Sequence, residues 1–341
     1  MKASDVRVLL LNPVPSLIKY GIKWGFDKCG CYTYLMEGDD QVYLLRQEQD
    51  RNLALRRIEK AIITHDINLL FCEGYANMPI AEISEICKRH NVKFHWWAIE
   101  DPVTPNIGEN VVKQKLVDYI WTTTVEFINK YKTLGIPSDL LMFACNPDFH
   151  KPVIGEDRFK HDISVIGTNY SNRFDKTKEF IFPLIQRDYD IMIYGQWWMK
   201  KEQKVNLIEF KDKGIYWQED GYIQLPYEWL PIVINSSKIM FGLNCSDKST
   251  TQTSCRPYET LASSGESVYV AYYTPAQNYL FKDYIVQAHT GREMLDKVDD
   301  VLTWSDAKRR AMAQEARNYV VSNHTYESRA KQIIKVILEG D

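Results

Sequence analysis

Residues 238–273 read KIMFGLNCSDKSTTQTSCRPYETLASSGESVYVAYY. The apolar run 239–243 has the composition of a buried parallel strand, and a Ser/Thr-rich loop leads from it into RPYETLASSG, which carries the marks of a short helix. A second β-rich run, 267–273, follows at once. Strand, loop, helix and strand make one βαβ unit, with its loop on the side where such folds hold ligands. Within the helix, Pro257 suits the first helical position, Ser254 or Arg256 the cap, and Gly265 a left-handed stop. At about 100° per residue, Tyr258, Leu261 and Ala262 share one face, while Arg256, Glu259 and Ser263 share the opposite one. A cation, a carboxylate and a hydroxyl beside a helix N-terminus favour an anionic phosphate.

Outward from this unit the same rhythm recurs. Towards the N-terminus, 6–12, 41–46, 68–73, 93–99, 119–124 and 140–145 are strand-like, with helix-like segments such as 52–64 and 80–90 between them. Strands alternating with helices imply a parallel sheet covered on both faces. Residues 146–161, NPDFHKPVIGEDRFKH, break the pattern with two prolines, a glycine and mixed charges, and read as a linker. Alternation restarts with strand-like runs at 163–167, 190–195, 215–218, 239–243, 267–273 and 284–288. Three helical segments close the chain, 292–302, 306–321 and 326–338, with Ser305 and Thr325 as N-caps. They exceed what one sheet needs, so the last is expected to return to the first domain. The expected α/β architecture is two Rossmann-like domains, 1–150 and 151–322, with 323–341 packing back on the first.

The 341 residues suffice for two cores, and 45% hydrophobic with 26% charged residues is the balance of a globular protein. A net charge of -3 gives no electrostatic case for nucleic acid or an anionic membrane. Seven cysteines without a framework spacing suit a reducing compartment, and the Cys29-x-Cys31 pair lacks the second pair that a zinc site needs. With no long apolar run at the start or later, the expected location is cytoplasmic, without a transmembrane segment.

Tandem doubly wound domains would place the C-terminal strand ends of the two sheets opposite each other across a cleft, so residues just after strands are the candidates for ligand contact. These are 12–16, 73–75, 100–102 and 122–124 in the first half, and 167–173, 195–198 and the loop from Asn244 in the second. No G-x-G-x-x-G or P-loop signature occurs, which argues against dinucleotide cofactors and P-loop chemistry. GTNYSNR, from Gly167 through Asn169 to Arg173, is either a diphosphate loop served by Arg173 or Arg256, or a solvated turn. Glu259 either accepts both hydroxyls of a ribose or merely complements the helix dipole, and Arg256 is either a phosphate ligand or an ion-pair partner. Gly195 and Gln196 end a strand beside the pair Trp197-Trp198. At least one tryptophan of this pair, and at least one of Trp96-Trp97, is expected in the core. His95 reads as a core histidine. Asp101 either serves as a general base, its pKa raised by burial, or makes an Asx-type turn before Pro102.

The assembled pattern resembles a GT-B glycosyltransferase and is similar to the CgeB/YkvP-type spore-maturation proteins. The matching pieces are WWAIEDP, DYIWTTTVEFINKYKTLGI, HDISVIGTNYSNR, DIMIYGQWW, YEWLPIVINSSKIMFGLN, RPYETLASSG and HTYESRA, spread over most of the chain. The resemblance implies transfer of a sugar from a nucleotide-diphosphate-sugar donor, bound mainly by the second domain, to a hydroxyl of a glycan, protein or small molecule on the first. It implies no metal or other cofactor, and a place in spore-coat or cell-surface glycan maturation. Glu259 matches the ribose-binding glutamate, Arg256 and 167–173 match the diphosphate neighbourhood, and 216–222, ending at Tyr222, matches the segment around the base. Many retaining members carry an acid eight positions before the ribose glutamate; here Thr251 stands there. That departure keeps a second expectation open, a non-catalytic GT-B module that binds a glycan or scaffolds a spore layer.

Overall fold

The computed structural model describes residues 2–12, 18–36, 51–74, 78–217, 225–244 and 246–339. The chain divides into two compact units. Unit 1 comprises Met1–Asn146, Ser249–Gln252 and Thr325–Asp341, and unit 2 comprises Pro147–Lys248 and Thr253–His324.

Unit 1 runs β1 (Arg7–Leu11), α1 (Ile18–Lys28), β2 (Tyr32–Leu35), α2 (Arg51–Thr64), β3 (Leu69–Glu73), α3 (Ile80–Arg89), β4 (Lys93–Ala98), α4 (Asn106–Lys113), β5 (Tyr119–Thr122), α5 (Val125–Thr133) and β6 (Ser138–Leu140). The strands form one parallel sheet in the order β2-β1-β3-β4-β5-β6. In β3 every residue is buried, as in a parallel strand covered on both faces, and the run is apolar from Leu69 to Cys72 with Glu73 at its end. On one face Leu9, Leu70, Phe94 and Trp96 pack against Ile58 and Ile62 of α2 and Ile83 and Ile86 of α3. The 140–145 run is corrected by the structure. The strand is Ser138–Leu140, and residues beyond it leave the sheet because their carbonyls serve the last helix, α13 (Tyr326–Glu339). Arg329 donates to Met142 O (2.9 Å) and Phe143 O (3.2 Å), and the Tyr326 N–H to Cys145 O (2.9 Å). α13 lies close against α1, where a Cβ at Gly21 would overlap the Tyr326 ring and one at Gly25 the Tyr326 carbonyl. The expected strand at 41–46 lies outside the described residues.

Unit 2 runs β7 (His161–Ile166), then α6 (Phe174–Lys176), a π-helical turn Thr177–Ile181 and α7 (Phe182–Gln186) in succession, then β8 (Ile191–Tyr194), α8 (Leu230–Ser236), β9 (Ser237–Gly242), α9 (Arg256–Ser263), β10 (Val268–Tyr272), α10 (Pro275–Phe281), β11 (Val286–Ala288), α11 (Gly291–Thr303) and α12 (Asp306–Asn323). Its parallel sheet has the order β11-β10-β9-β7-β8. Ile163, Val165, Ile239, Phe241, Val268 and Val270 form its core with Phe180, Ile181, Met294 and Val298. The expected strand at 215–218 is a single bridge of Tyr216 to Ile193, with 218 outside the described residues. Ser305 and Thr325 cap their helices, accepting the N–H of Lys308 (3.3 Å) and Ser328 (3.2 Å).

The helix of the opening stretch needs two corrections. Its cap is Cys255, without a side-chain cap bond, and Pro257 is the second helical residue. It ends on Ser264 in an extended conformation, and Gly265 does not take a left-handed one. The need for glycine there is spatial: the Gly265 N–H donates to Asn235 Oδ1 at 2.8 Å, and a Cβ would crowd that oxygen.

Candidate functional site

In unit 2 the chain leaves β7 towards β8 on one side and later returns to the other side as β9, so the switch point lies between β7 and β9. The loops beyond those two strands are therefore neighbours, and they contain Gly167 and Asn244. One glycine lets the backbone close up. A Cβ at Gly195, which has φ +134°, would overlap the Gly167 carbonyl. That carbonyl accepts Trp198 Nε1–H at 2.7 Å, and the Gly195 carbonyl accepts the Tyr216 hydroxyl at 2.6 Å. The Asn169 N–H donates to Gln196 O at 3.0 Å, and its Nδ2 to Val205 O at 2.7 Å, while its buried Oδ1 has no partner among the described residues.

Arg173 and Asn244 are frame residues of this corner. Buried Arg173 sends Nε to Asn244 O (3.2 Å) and Nη1 to Thr168 O (2.9 Å), with its guanidinium 5.2 Å from the Tyr170 ring centre. Asn244 is buried too. Its Oδ1 accepts the Ser254 N–H (2.8 Å), and its Nδ2 reaches Ser246 O (3.2 Å) and Thr274 Oγ1 (3.3 Å). Nε and Nη1 of Arg173 and the amide of Asn244 are thus bonded to groups of the strand-end loops.

At α9 the polar face is inside the protein: Pro257 through Ser263 are all buried, Glu259 at 3% exposure. Burying a carboxylate is costly unless it is paired. Arg256 Nη1 supplies the partner at 2.8 Å from Glu259 Oε2. Glu259 Oε1 instead faces His150 Nε2 at 3.9 Å, and among the described residues it accepts no hydrogen bond. His150 Nε2 bonds the Tyr227 hydroxyl at 2.7 Å. Burial pushes the His150 imidazole down to about 4; Glu259 opposes the shift and Arg256 adds to it, so the ring is neutral at pH 7. His150 escapes a reading of the sequence because it lies in the stretch that reads as a linker, and a lone histidine between prolines carries no local signature.

In unit 1, Asp101 lies just beyond β4 and is 1% exposed. Its Oδ2 accepts the Thr122 hydroxyl (2.8 Å) and the Tyr131 hydroxyl (2.7 Å), and its carbonyl accepts Thr123 Oγ1 (3.3 Å). Burial pushes its carboxyl up to about 6, against the hydrogen bonds from Tyr131 and Thr122. At this sheet's own switch point, between β1 and β3, Asn12 Nδ2 donates to the buried Glu73 carboxylate. Thr251 is also part of unit 1. Its hydroxyl donates to Thr123 O (3.0 Å) and accepts the Val125 N–H (2.9 Å), the first N–H of α5, while Glu126 accepts Ser249 Oγ, Thr250 N and Thr250 Oγ1 at 2.7–2.9 Å. Of the tryptophan pairs, Trp96, Trp97 and Trp198 are fully buried, while Trp197 is 39% exposed with φ +70°. His95 is buried, with Nδ1 accepting Trp121 Nε1–H at 3.3 Å. Tyr222, 13–16 and Tyr75 lie outside the described residues.

Residues 174–335 match the family described as glycosyl transferase-like. No curated protein matches the chain in sequence. Solved structures similar to it include a sucrose-phosphate synthase from Thermosynechococcus elongatus, at TM-score 0.68 and 9% identity over 98% of both chains. Another is Anabaena HepE in complex with UDP and glucose, at TM-score 0.67 and 10% identity, covering 98% of this chain and 100% of that one. A third is an E. coli trehalose-6-phosphate structure bound with UDP-2-fluoro glucose, at TM-score 0.62 and 10% identity over 96% and 98%. The chain therefore has the two-domain, Rossmann-like GT-B fold, and its residues 174–335 are glycosyl transferase-like in sequence.

Proposed function

We propose that the protein is a glycosyltransferase that moves a sugar from a nucleotide-diphosphate-sugar donor to a hydroxyl acceptor. The observation that carries this reading is Glu259: a carboxylate buried at the first turn of α9, one oxygen held by Arg256 and the other without a hydrogen bond among the described residues. That oxygen suits the vicinal hydroxyls of a ribose, while Arg256 and the α9 N-terminus suit the diphosphate. Developing charge on the leaving diphosphate would be stabilised by the same groups, which supports chemistry without a metal. Gly167, Asn169, Gly195 and Gln196 would offer backbone groups to the donor. Arg173 and Asn244 would hold those loops in place. The donor belongs to residues 151–322 and the acceptor to 1–150, with Asp101 as base if the reaction inverts. UDP-glucose, with which HepE forms a complex, is the first donor to test. Membership of the CgeB/YkvP-like group, a role in spore-coat or cell-surface glycans and a cytoplasmic location rest on the sequence resemblance. Among the described residues, no helix is long and apolar enough to cross a membrane.

Calorimetric titration with UDP, GDP and TDP checks the donor site. Binding of at least one, weakened tenfold or more in Glu259→Ala, is expected, whereas binding of none would reject the reading. A second reading, a non-catalytic module, is favoured by Thr251, whose hydroxyl is committed to the α5 terminus where many retaining relatives carry an acid. Prolonged incubation with a donor panel separates the two, since the module predicts nucleotide binding without hydrolysis or transfer.

A further inference from the structure

Glu259 Oε1 and His150 Nε2 are buried 3.9 Å apart, and they do not bond. Chemically this is unexpected, because an imidazole N–H turned onto a buried carboxylate oxygen would stabilise both groups. The imidazole is held away by its surroundings. Its Nε2 is engaged by the Tyr227 hydroxyl at 2.7 Å, and its ring stands edge-on to Tyr227 and Phe149, with centroids 5.9 and 5.1 Å away. Phe149 in turn stacks on Tyr227 at 4.5 Å. Behind it, Arg317 donates to the His150 carbonyl at 3.0 Å and also to the Ala262 carbonyl of α9, so one guanidinium ties the histidine's backbone to the helix that carries Glu259.

We propose that Tyr227 is a positioning residue for nucleotide recognition: it holds the His150 imidazole off Glu259, and this keeps Oε1 as the acceptor for the vicinal hydroxyls of a nucleoside diphosphate. The inference rests on the assignment of Glu259 to the ribose and adds what keeps that carboxylate available. Removal of the Tyr227 hydroxyl takes away the bond that Nε2 makes at 2.7 Å, and Glu259 Oε1 lies 3.9 Å from that nitrogen. The two would then bond, and a ribose would have to break that bond to bind.

The test is calorimetry on the full chain with UDP and 2′,3′-dideoxy-UDP, read as the ratio of the two Kd values. Tyr227→Phe is expected to weaken UDP about tenfold and leave the dideoxy analogue unchanged, so the ratio collapses. Adding His150→Leu to Tyr227→Phe removes the competing donor and restores the ratio to within about threefold of the parent, and His150→Leu alone keeps it there. A Tyr227→Phe protein that keeps the parent ratio, or weakens both ligands equally, overturns the proposal, as does loss of the ratio in His150→Leu. Glu259→Gln is the control: if it leaves the ratio intact, the ribose assignment has failed and the inference with it, whereas a ratio lost in Glu259→Gln but kept in Tyr227→Phe overturns the inference alone.

Discussion

Asp101 shows what burial does to one residue. The Thr122 and Tyr131 hydroxyls bond one of its oxygens, yet the cost of desolvation is larger, and its carboxyl is pushed up to about 6. The sign follows from proton binding: between pH 4 and 6 the folded protein holds a proton that the unfolded chain has released, so this group makes the fold less stable as pH rises through that window. Above it, the ionised form costs on the order of 2–3 kcal/mol. Asp101→Asn, whose amide oxygen can accept both hydroxyls, is therefore expected to raise stability by about 2 kcal/mol at pH 7, with the gain disappearing towards pH 4; denaturant unfolding at the two pH values measures it. An equal gain at both would show that the carboxyl is not shifted. The residue type and strand-end position of Asp101 were readable from the sequence; its hydrogen-bond partners were not, because Tyr131 reaches it from α5, thirty residues on. The same is true of Glu259, whose pairing with Arg256 is local, but whose second neighbour, His150, arrives from 109 residues away.

At the scale of elements, the two strand-end loops of unit 2 depend on backbone contact that no side chain can replace. Gly195 has both a positive φ and the Gly167 carbonyl in the place of a Cβ, so Gly195→Ala is expected to cost roughly 2 kcal/mol or more. Gly167→Ala meets only the end of Leu243 at 3.3 Å and Arg173 at 3.4 Å, and should cost under about 1 kcal/mol. Thermal melts of the pair test this ordering. Thr251 makes a different kind of contact, satisfying the first N–H of α5 from a distant part of the chain. Thr251→Val should cost about 1 kcal/mol, the value of a lost helix cap, and the same melts measure it. The helix after the polar loop was legible in RPYETLAS. Its full burial was not, since an amphipathic pattern predicts a wet face, whereas here Arg317, His150 and Asn235 pack around it.

For the whole molecule, the alternation of apolar runs with helical segments foretold two parallel sheets, because strands buried on both faces leave a near-continuous apolar signature, as LLFC, residues 69–72 of β3, does. What escaped lacks that signature. β2, YTYL, is a partly exposed edge strand, and α1 carries glycines where Tyr326 approaches, which weakens its helical pattern. The candidate site was drawn from the sequence as a set of strand-end loops and one helix terminus, whereas the hydrogen-bond partners of its side chains required the fold. The most direct measurement of the donor assignment is a crystal structure of the chain soaked with UDP. A ribose hydroxyl within hydrogen-bond reach of Glu259 Oε1, with the diphosphate towards Arg256 and the α9 N-terminus, is the predicted result. A bound UDP whose ribose leaves Glu259 untouched would contradict it.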